Sequence, residues 1–250
     1  MRTVSYSIGK VLTSVMSTIA ENIANVRERI RRAAEAAGRP PEAITLLAVS
    51  KTRPPADLRQ AHAVGQRAFG ENYLQEALEK IEALRDLPDL EWHFIGPIQS
   101  NKTRQIAAHF HWVHSVDRLK VARRLSEQRD DTQPPLNICL QVNIDDEATK
   151  SGCRLAELPE LAGAIARLPN LRLRGLMAIP DPNQADSGRR TSFRQLAQAL
   201  EQLRLQLAGG APLDTLSMGM SDDLELAIAE GATWVRVGTA VFGERSAKAP

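Results

Sequence analysis

The feature that most constrains this chain is a change of rhythm repeated eight times. Short apolar or β-branched runs at 44–50, 67–71, 91–96, 110–115, 136–143, 171–178, 214–218 and 233–237 read as strands. Amphipathic stretches separate nearly all of them, such as Leu74, Leu78, Ile81 and Leu84, or Phe193, Leu196, Leu200, Leu203 and Leu207. Strands joined through helices are parallel neighbours, since a tight hairpin joins only antiparallel ones. Eight such units over about 200 residues predict an α/β fold, a single (β/α)8 TIM-type barrel. A doubly wound open sheet is the alternative, but no strand is followed by a glycine-rich dinucleotide turn.

An extra N-terminal helix precedes the barrel. Thr18 and Glu21 have capping-box spacing, Ile19, Ile23, Val26 and Ile30 recur at helical intervals, and Gly38, Pro40 and Pro41 end the run. Residues 1–17 read as a disordered tail with Met16 as an alternative start, leaving 18–250 as one domain. Residues 181–190 are polar enough for a mobile loop. With 32 Lys+Arg against 30 Asp+Glu, the net charge of +2 gives no electrostatic case for nucleic acid or an anionic membrane. The two cysteines, Cys139 and Cys153, argue against a disulfide scaffold, and no apolar run approaches the roughly 20 residues that cross a bilayer. The expected location is the cytoplasm.

In a barrel of this kind the chemistry sits at the C-terminal strand ends. Lys51 directly follows the first apolar strand. Facing the mouth, its amine is discharged by desolvation and becomes a nucleophile suited to Schiff-base formation with an aldehyde; facing outward, it is a solvated lysine. The seventh strand ends Leu216-Ser217-Met218-Gly219-Met220-Ser221 and the eighth Arg236-Val237-Gly238-Thr239. Loops after these two strands commonly bind phosphate. Ser217 and Thr239 supply hydroxyls, Gly219 and Gly238 allow close backbone approach, and Arg236 suits a phosphate or a ring nitrogen. With Lys51 they describe a phosphorylated aldehyde held at both ends, against the plainer reading of ordinary βα turns.

Further segments fall in order with these: Ala48-Val49-Ser50-Lys51-Thr52, Gly70-Glu71-Asn72-Tyr73, the block from Trp92 through His93 and Gly96 to Lys102, Lys150-Ser151-Gly152, and Gly175-Leu176-Met177-Ala178. Over residues 19–245 the sequence resembles the pyridoxal phosphate homeostasis proteins, single-domain relatives of the alanine racemase barrel. The resemblance implies a fold-type III barrel with pyridoxal 5′-phosphate (PLP) held covalently on Lys51. It implies phosphate contacts from Ser217, Gly238 and Thr239, with Met218 and Gly219 in the same loop and Arg236 near ring or phosphate. It also implies a carrier or regulator of intracellular vitamin B6, without established turnover. PLP-dependent apo-enzymes are the implied recipients, and the expected unit is a monomer.

His93 is expected either to line the cofactor pocket or to be a core histidine bonded to a neighbour. Asn72 is either a polar neighbour of the cofactor or a helix N-cap. A PLP racemase or lyase is the main rival. Racemisation needs a base on each face of the substrate carbon, and the chain has only Tyr6, in the tail, and Tyr73, at a helix start. An aldolase-type barrel would place lysine on the sixth strand, which has none. His109, His111 and His114 cluster around the fourth strand, His109 and His111 on one face, but too few other ligands accompany them for a metal site. Lys150-Ser151-Gly152 reads either as a mobile loop above the mouth or, more simply, as a solvated connection, and Cys153 receives no nucleophilic role.

Overall fold

The structure, a computed structural model, describes residues 18–147 and 149–244. Strands β1 (Thr45–Val49), β2 (Ala68–Glu71), β3 (Glu91–Phe94), β4 (Trp112–Val116), β5 (Leu136–Gln141), β6 (Leu171–Met177), β7 (Thr215–Ser217) and β8 (Trp234–Val237) form a closed barrel in that order. All neighbours are parallel, and β8 returns to β1 with Leu47 opposite Arg236. Helix α1 (Ile19–Ala36) precedes the barrel. One helix then follows each strand: α2 (Pro55–Ala63), α3 (Leu74–Ala83), α4 (Thr103–His109), α5 (Leu119–Gln128), α6 (Leu158–Ile165), α7 (Asp186–Gln206), α8 (Leu224–Ala229) and α9 (Thr239–Phe242). The expected barrel is the observed one.

Helix α1 starts as its sequence demands. The Thr18 hydroxyl accepts from the Glu21 N–H, and the Glu21 carboxylate accepts from the Thr18 N–H. Its apolar stripe, Ile23, Val26, Ile30 and Ala34, is buried where the helix lies against α2, α8 and α9. The tail assigned to 1–17, Tyr6 within it, and the last residues 245–250 of the expected domain lie outside the described residues. No described helix is long and apolar enough to cross a membrane.

Two local expectations fail. The fourth strand begins at Trp112, so His109 is the last residue of α4 and His111 precedes the strand. The buried pair Ile106 and Ala107 carries α4 through to His109, which breaks the expected His-x-His face. Residues 181–190 are only half loop: α7 begins at Asp186, and the Asp181 N–H is held by the Asp145 carboxylate at 2.7 Å.

Side chains alternate across the strands. The outward set, such as Phe69, Val113, Ile138, Leu140 and Val235, joins helix residues in one continuous core. The inward set is different in kind. Trp112, Cys139 and Met177 form a separate cluster with Trp234 against it, and His93 stacks on Trp112 at 5.5 Å with an interplanar angle of 7°. His93 and His114 are fully enclosed, with His93 Nδ1 2.9 Å from His114 Nε2 and His114 Nδ1 2.7 Å from Ser217 Oγ.

Burial pushes both imidazoles below their ordinary pKa of 6.5. A group with a depressed folded pKa contributes stability above its unfolded pKa, and that contribution is lost as pH falls through the folded value. The urea concentration at the unfolding midpoint should therefore fall as the pH is lowered below about 6.5. A His93→Gln/His114→Gln variant, less stable at neutral pH, should show a flatter profile there. A flat wild-type profile would contradict this account.

Candidate functional site

The turn that carries Lys51 is locked from beneath. Lys80, on α3, is almost wholly buried, and its Nζ donates to the Ser50 carbonyl at 2.6 Å, Glu71 Oε1 at 2.7 Å and Glu76 Oε1 at 2.6 Å. The Ser50 hydroxyl donates to Glu71 Oε1, and the Thr52 N–H donates to Glu76 Oε1. Both chain neighbours of Lys51 are thus tied to one buried ionic cluster, and Thr52 adopts a left-handed φ of 65° to complete the turn. Burial pushes the Glu71 carboxyl above its usual range, while Lys80 and Ser50 pull it down. In sequence, Glu76 and Lys80 look like a surface i,i+4 pair. Only the fold shows Lys80 inside.

Lys51 is half-buried at the C-terminal mouth and lines a cavity of about 260 Å³. The other walls are Val49, Arg53, Asn72, Ile95, Ile179, Met220, Ser221, Asp222, Arg236, Gly238, Thr239 and Gly243. Sequence expectation placed Lys51, Asn72, Arg236, Gly238 and Thr239 in one site, and the structure brings these five together. Asn72 is positioned by a close backbone approach: a Cβ on Gly96 would lie 2.1 Å from the Asn72 carbonyl oxygen. The N-cap of α3 is Tyr73, without a side-chain bond, so Asn72 is not a cap. Its Oδ1 is buried without a partner.

Arg236 forms the cavity floor. Its Nη1 donates to the Ser217 carbonyl at 2.5 Å and the Ser217 hydroxyl at 2.8 Å, and its Nη2 donates to the Ala178 carbonyl at 2.9 Å. Those three bonds leave two of the five guanidinium N–H groups for a ligand. Burial lowers its pKa to about 10, with Asp223 and Cys139 opposing, so it stays a cation at neutral pH.

Four expected residues sit elsewhere. Ser217 is enclosed below the cavity, its hydroxyl between His114 and Arg236. Met218 is fully buried in the outer core. The Gly219 carbonyl accepts the Arg236 N–H at 2.9 Å, and with φ 94° a Cβ there would meet the Ala227 side chain at 2.6 Å. His93 is the core histidine of the two alternatives. For the three residues of the seventh strand and its loop the reason is the shortness of β7: after Ser217 the chain still runs beside β8, with the Met218 N–H on the Trp234 carbonyl. The loop crest therefore falls at Met220 and Ser221. Ser221 was legible in its motif but not distinguishable from Ser217.

A second cavity of about 250 Å³ shares Asn72, Ile95 and Ile179 and adds Gln141, Asn143, Lys150 and Ser151. Lys150 and Ser151 therefore line the mouth instead of a solvated connection, with Lys150 Nζ 2.6 Å from Glu147 Oε1. Among the described residues no cluster could hold a metal ion. Burial pushes the Cys153 thiol up to about 12, which keeps it unreactive.

The profile of the family described as alanine racemase, N-terminal domain, matches residues 21–246. The pyridoxal phosphate homeostasis protein of Pseudomonas aeruginosa is 65% identical over 94% of this chain and 99% of its own length. That of Escherichia coli is 54% identical over 92% of this chain and 98% of its own. PipY of Synechococcus elongatus, solved with PLP bound, is 40% identical and superposes with a TM-score of 0.80 over 90% of this chain and all of its own. Alanine racemase from Corynebacterium glutamicum, 19% identical with a TM-score of 0.66, shares the fold over 61% of its length.

Removing one partner of a buried ion pair strands the other charge. Lys80→Met should cost about 3–5 kcal/mol in urea unfolding. Adding Glu71→Gln to it should recover part of that loss. Equal stability of the single and double variants would show that the Lys80–Glu71 pair does not hold the Lys51 turn.

Proposed function

The chain belongs to the alanine racemase N-terminal domain family, among its pyridoxal phosphate homeostasis proteins, and on that premise we propose that its cavity holds PLP through the Lys51 amine. One observation carries the reading: a single cavity is lined at once by an amine, a buried guanidinium and the hydroxyl- and glycine-bearing loops after β7 and β8. The residues fit the group. The buried, unpartnered Asn72 Oδ1 is a polar demand of the kind a hydroxylated nitrogen heterocycle meets, and the Arg236 guanidinium beside it has two N–H groups beyond its three bonds. The names of the relatives and the PLP-bound PipY structure support the same ligand.

When bound, PLP supplies an aldehyde that an amine can capture and a ring that withdraws electrons. Lys51 is the amine at that mouth. Ser221, Gly238 and Thr239 would take the phosphate, where the first turn of α9 leaves backbone N–H groups without intrahelical partners. Arg53, whose guanidinium reaches the Gly243 and Glu244 carbonyls, closes the rim behind them. Arg236 would face the ring. A guanidinium only donates, so a ring nitrogen opposite it must accept and stay unprotonated, which weakens electron withdrawal. This site favours holding the cofactor over turning over amino acids.

The proposed role is a carrier in vitamin B6 homeostasis that yields PLP to apo-enzymes. The proposed working unit is the single chain, whose own barrel supplies the amine, the guanidinium and both glycine-bearing loops to the cavity. Its two free buried cysteines fit the reducing cytoplasm.

Protein mixed with PLP should turn yellow, and borohydride should trap the label on the peptide containing Lys51. Lys51→Ala should lose both the chromophore and the label. Label on another lysine would reject the assignment of Lys51. Racemisation or transamination at enzyme-like rates would reject the carrier role.

A further inference from the structure

Arg236 ends a line of polar groups that crosses the barrel to its far mouth. From the candidate site downward it runs Arg236 Nη1, Ser217 Oγ at 2.8 Å, His114 Nδ1 at 2.7 Å, His114 Nε2 and His93 Nδ1 at 2.9 Å. His93 Nε2 is buried without a hydrogen-bond partner and stands 3.6 Å from Glu91 Oε2. The other oxygen, Glu91 Oε1, accepts the Trp112 indole N–H at 2.6 Å. Glu91, at the start of β3, borders a different cavity, lined by Ile44, Leu46 and Ala68 at the N-terminal strand ends. Five residues from β3, β4, β7 and β8 therefore join opposite mouths of the barrel.

Two proton arrangements satisfy the inner links. In the first, the Ser217 hydroxyl donates to His114 Nδ1, His114 Nε2–H donates to His93 Nδ1, and His93 Nε2–H points at Glu91. In the second, every link is reversed: His93 Nδ1–H donates to His114 Nε2 and His114 Nδ1–H donates to Ser217. That second form aims a bare ring lone pair at a carboxylate. It also leaves the enclosed Ser217 proton without an acceptor in the line. Both penalties fall in a site walled by Trp112, Trp234, Cys139 and Met177, where an unmatched polar group is costly. No third form places a charge on either ring, because the walls are apolar and Arg236 is already cationic beside Ser217.

We propose that Glu91 is a remote positioning residue for Arg236: its carboxylate sets the direction of the His93–His114–Ser217 line and so the tautomer of both histidines. In that direction Ser217 gives its proton away, which polarises its oxygen and strengthens the bond it accepts from Arg236. Glu91 itself touches neither the candidate cavity nor any residue named as its lining. Burial works against its ionisation, but His93, Trp112 and His111 hold its carboxyl below the usual range, so it is an anion at neutral pH.

The test uses protein without PLP, so its outcome is separate from that of the cofactor reading. Nitrogen-15 spectra of the histidine side chains should show His93 and His114 as Nε2–H tautomers in the wild type. In Glu91→Gln, the amide oxygen keeps the Trp112 bond and the NH2 group faces His93 Nε2. Both rings should then swap to Nδ1–H, and Arg236 Nη protons should exchange with solvent several-fold faster. Glu91→Asp should keep the wild-type tautomers. Nδ1–H rings in the wild type overturn the proposal even where no variant folds. Rings unchanged in folded Glu91→Gln overturn it as well.

Discussion

A guanidinium removed from water costs several kcal/mol unless its donors are matched, and the upper half of this barrel is organised around that demand at Arg236. Its partners are the Ser217 carbonyl and hydroxyl and the Ala178 carbonyl, groups at the ends of β7 and β6. One side chain on β8 therefore ties three consecutive strand ends where the ladder is thinnest, since β7 has only three residues and meets β8 at the single pair Ser217–Trp234. The same cation leaves donors for the cavity above it and ends the polar line below it, donating to the Ser217 hydroxyl. Remove the match and the floor of the site, the β7–β8 seam and the interior histidines all lose their reference point.

The opposite wall is held by an independent device. Lys80, Glu71, Glu76 and Ser50 form a buried cluster whose bonds end on both sides of Lys51. A nucleophilic amine gains from a defined backbone and a partly dry surrounding, and the cluster supplies the first without touching the cavity. Helix α1 braces the far rim. Arg29 reaches the Ser221 carbonyl at 2.9 Å and pairs with Glu225, and Asn22 donates to the Val241 carbonyl at 3.0 Å. The extra N-terminal helix thereby fastens both loops that the proposed phosphate would occupy.

Several of these residues were legible in the chain and several were not, for physical reasons. Lys51 and Arg236 stand out because strand periodicity fixes which strand ends carry a charge and which faces are inward. Asn72, Gly238 and Thr239 follow from the same logic. Ser217 and Ser221 are four residues apart in one motif, and which of them meets the cavity depends on where β7 stops. Strand length at that point is decided by Met218 continuing beside β8. Lys80 resembles a solvated helix residue because local spacing carries no information about what packs over it. His114 hides among three histidines until the start of β4 is known.

The sequence by itself determined the architecture. Eight changes of hydrophobic period leave parallel crossovers as the only economical connection, and their number closes the barrel. It also determined which kinds of group stand at the rim, since those depend on local alternation. Tertiary structure alone decided which groups meet. The Lys80–Glu71 cluster forms where α3 packs under the ends of β1 and β2, and the Glu91–His93–His114–Ser217–Arg236 line joins β3 and β4 to β7 and β8, a link that forms only when the barrel closes. Periodicity specifies a face, whereas a hydrogen bond needs a distance, and only the closed barrel sets that.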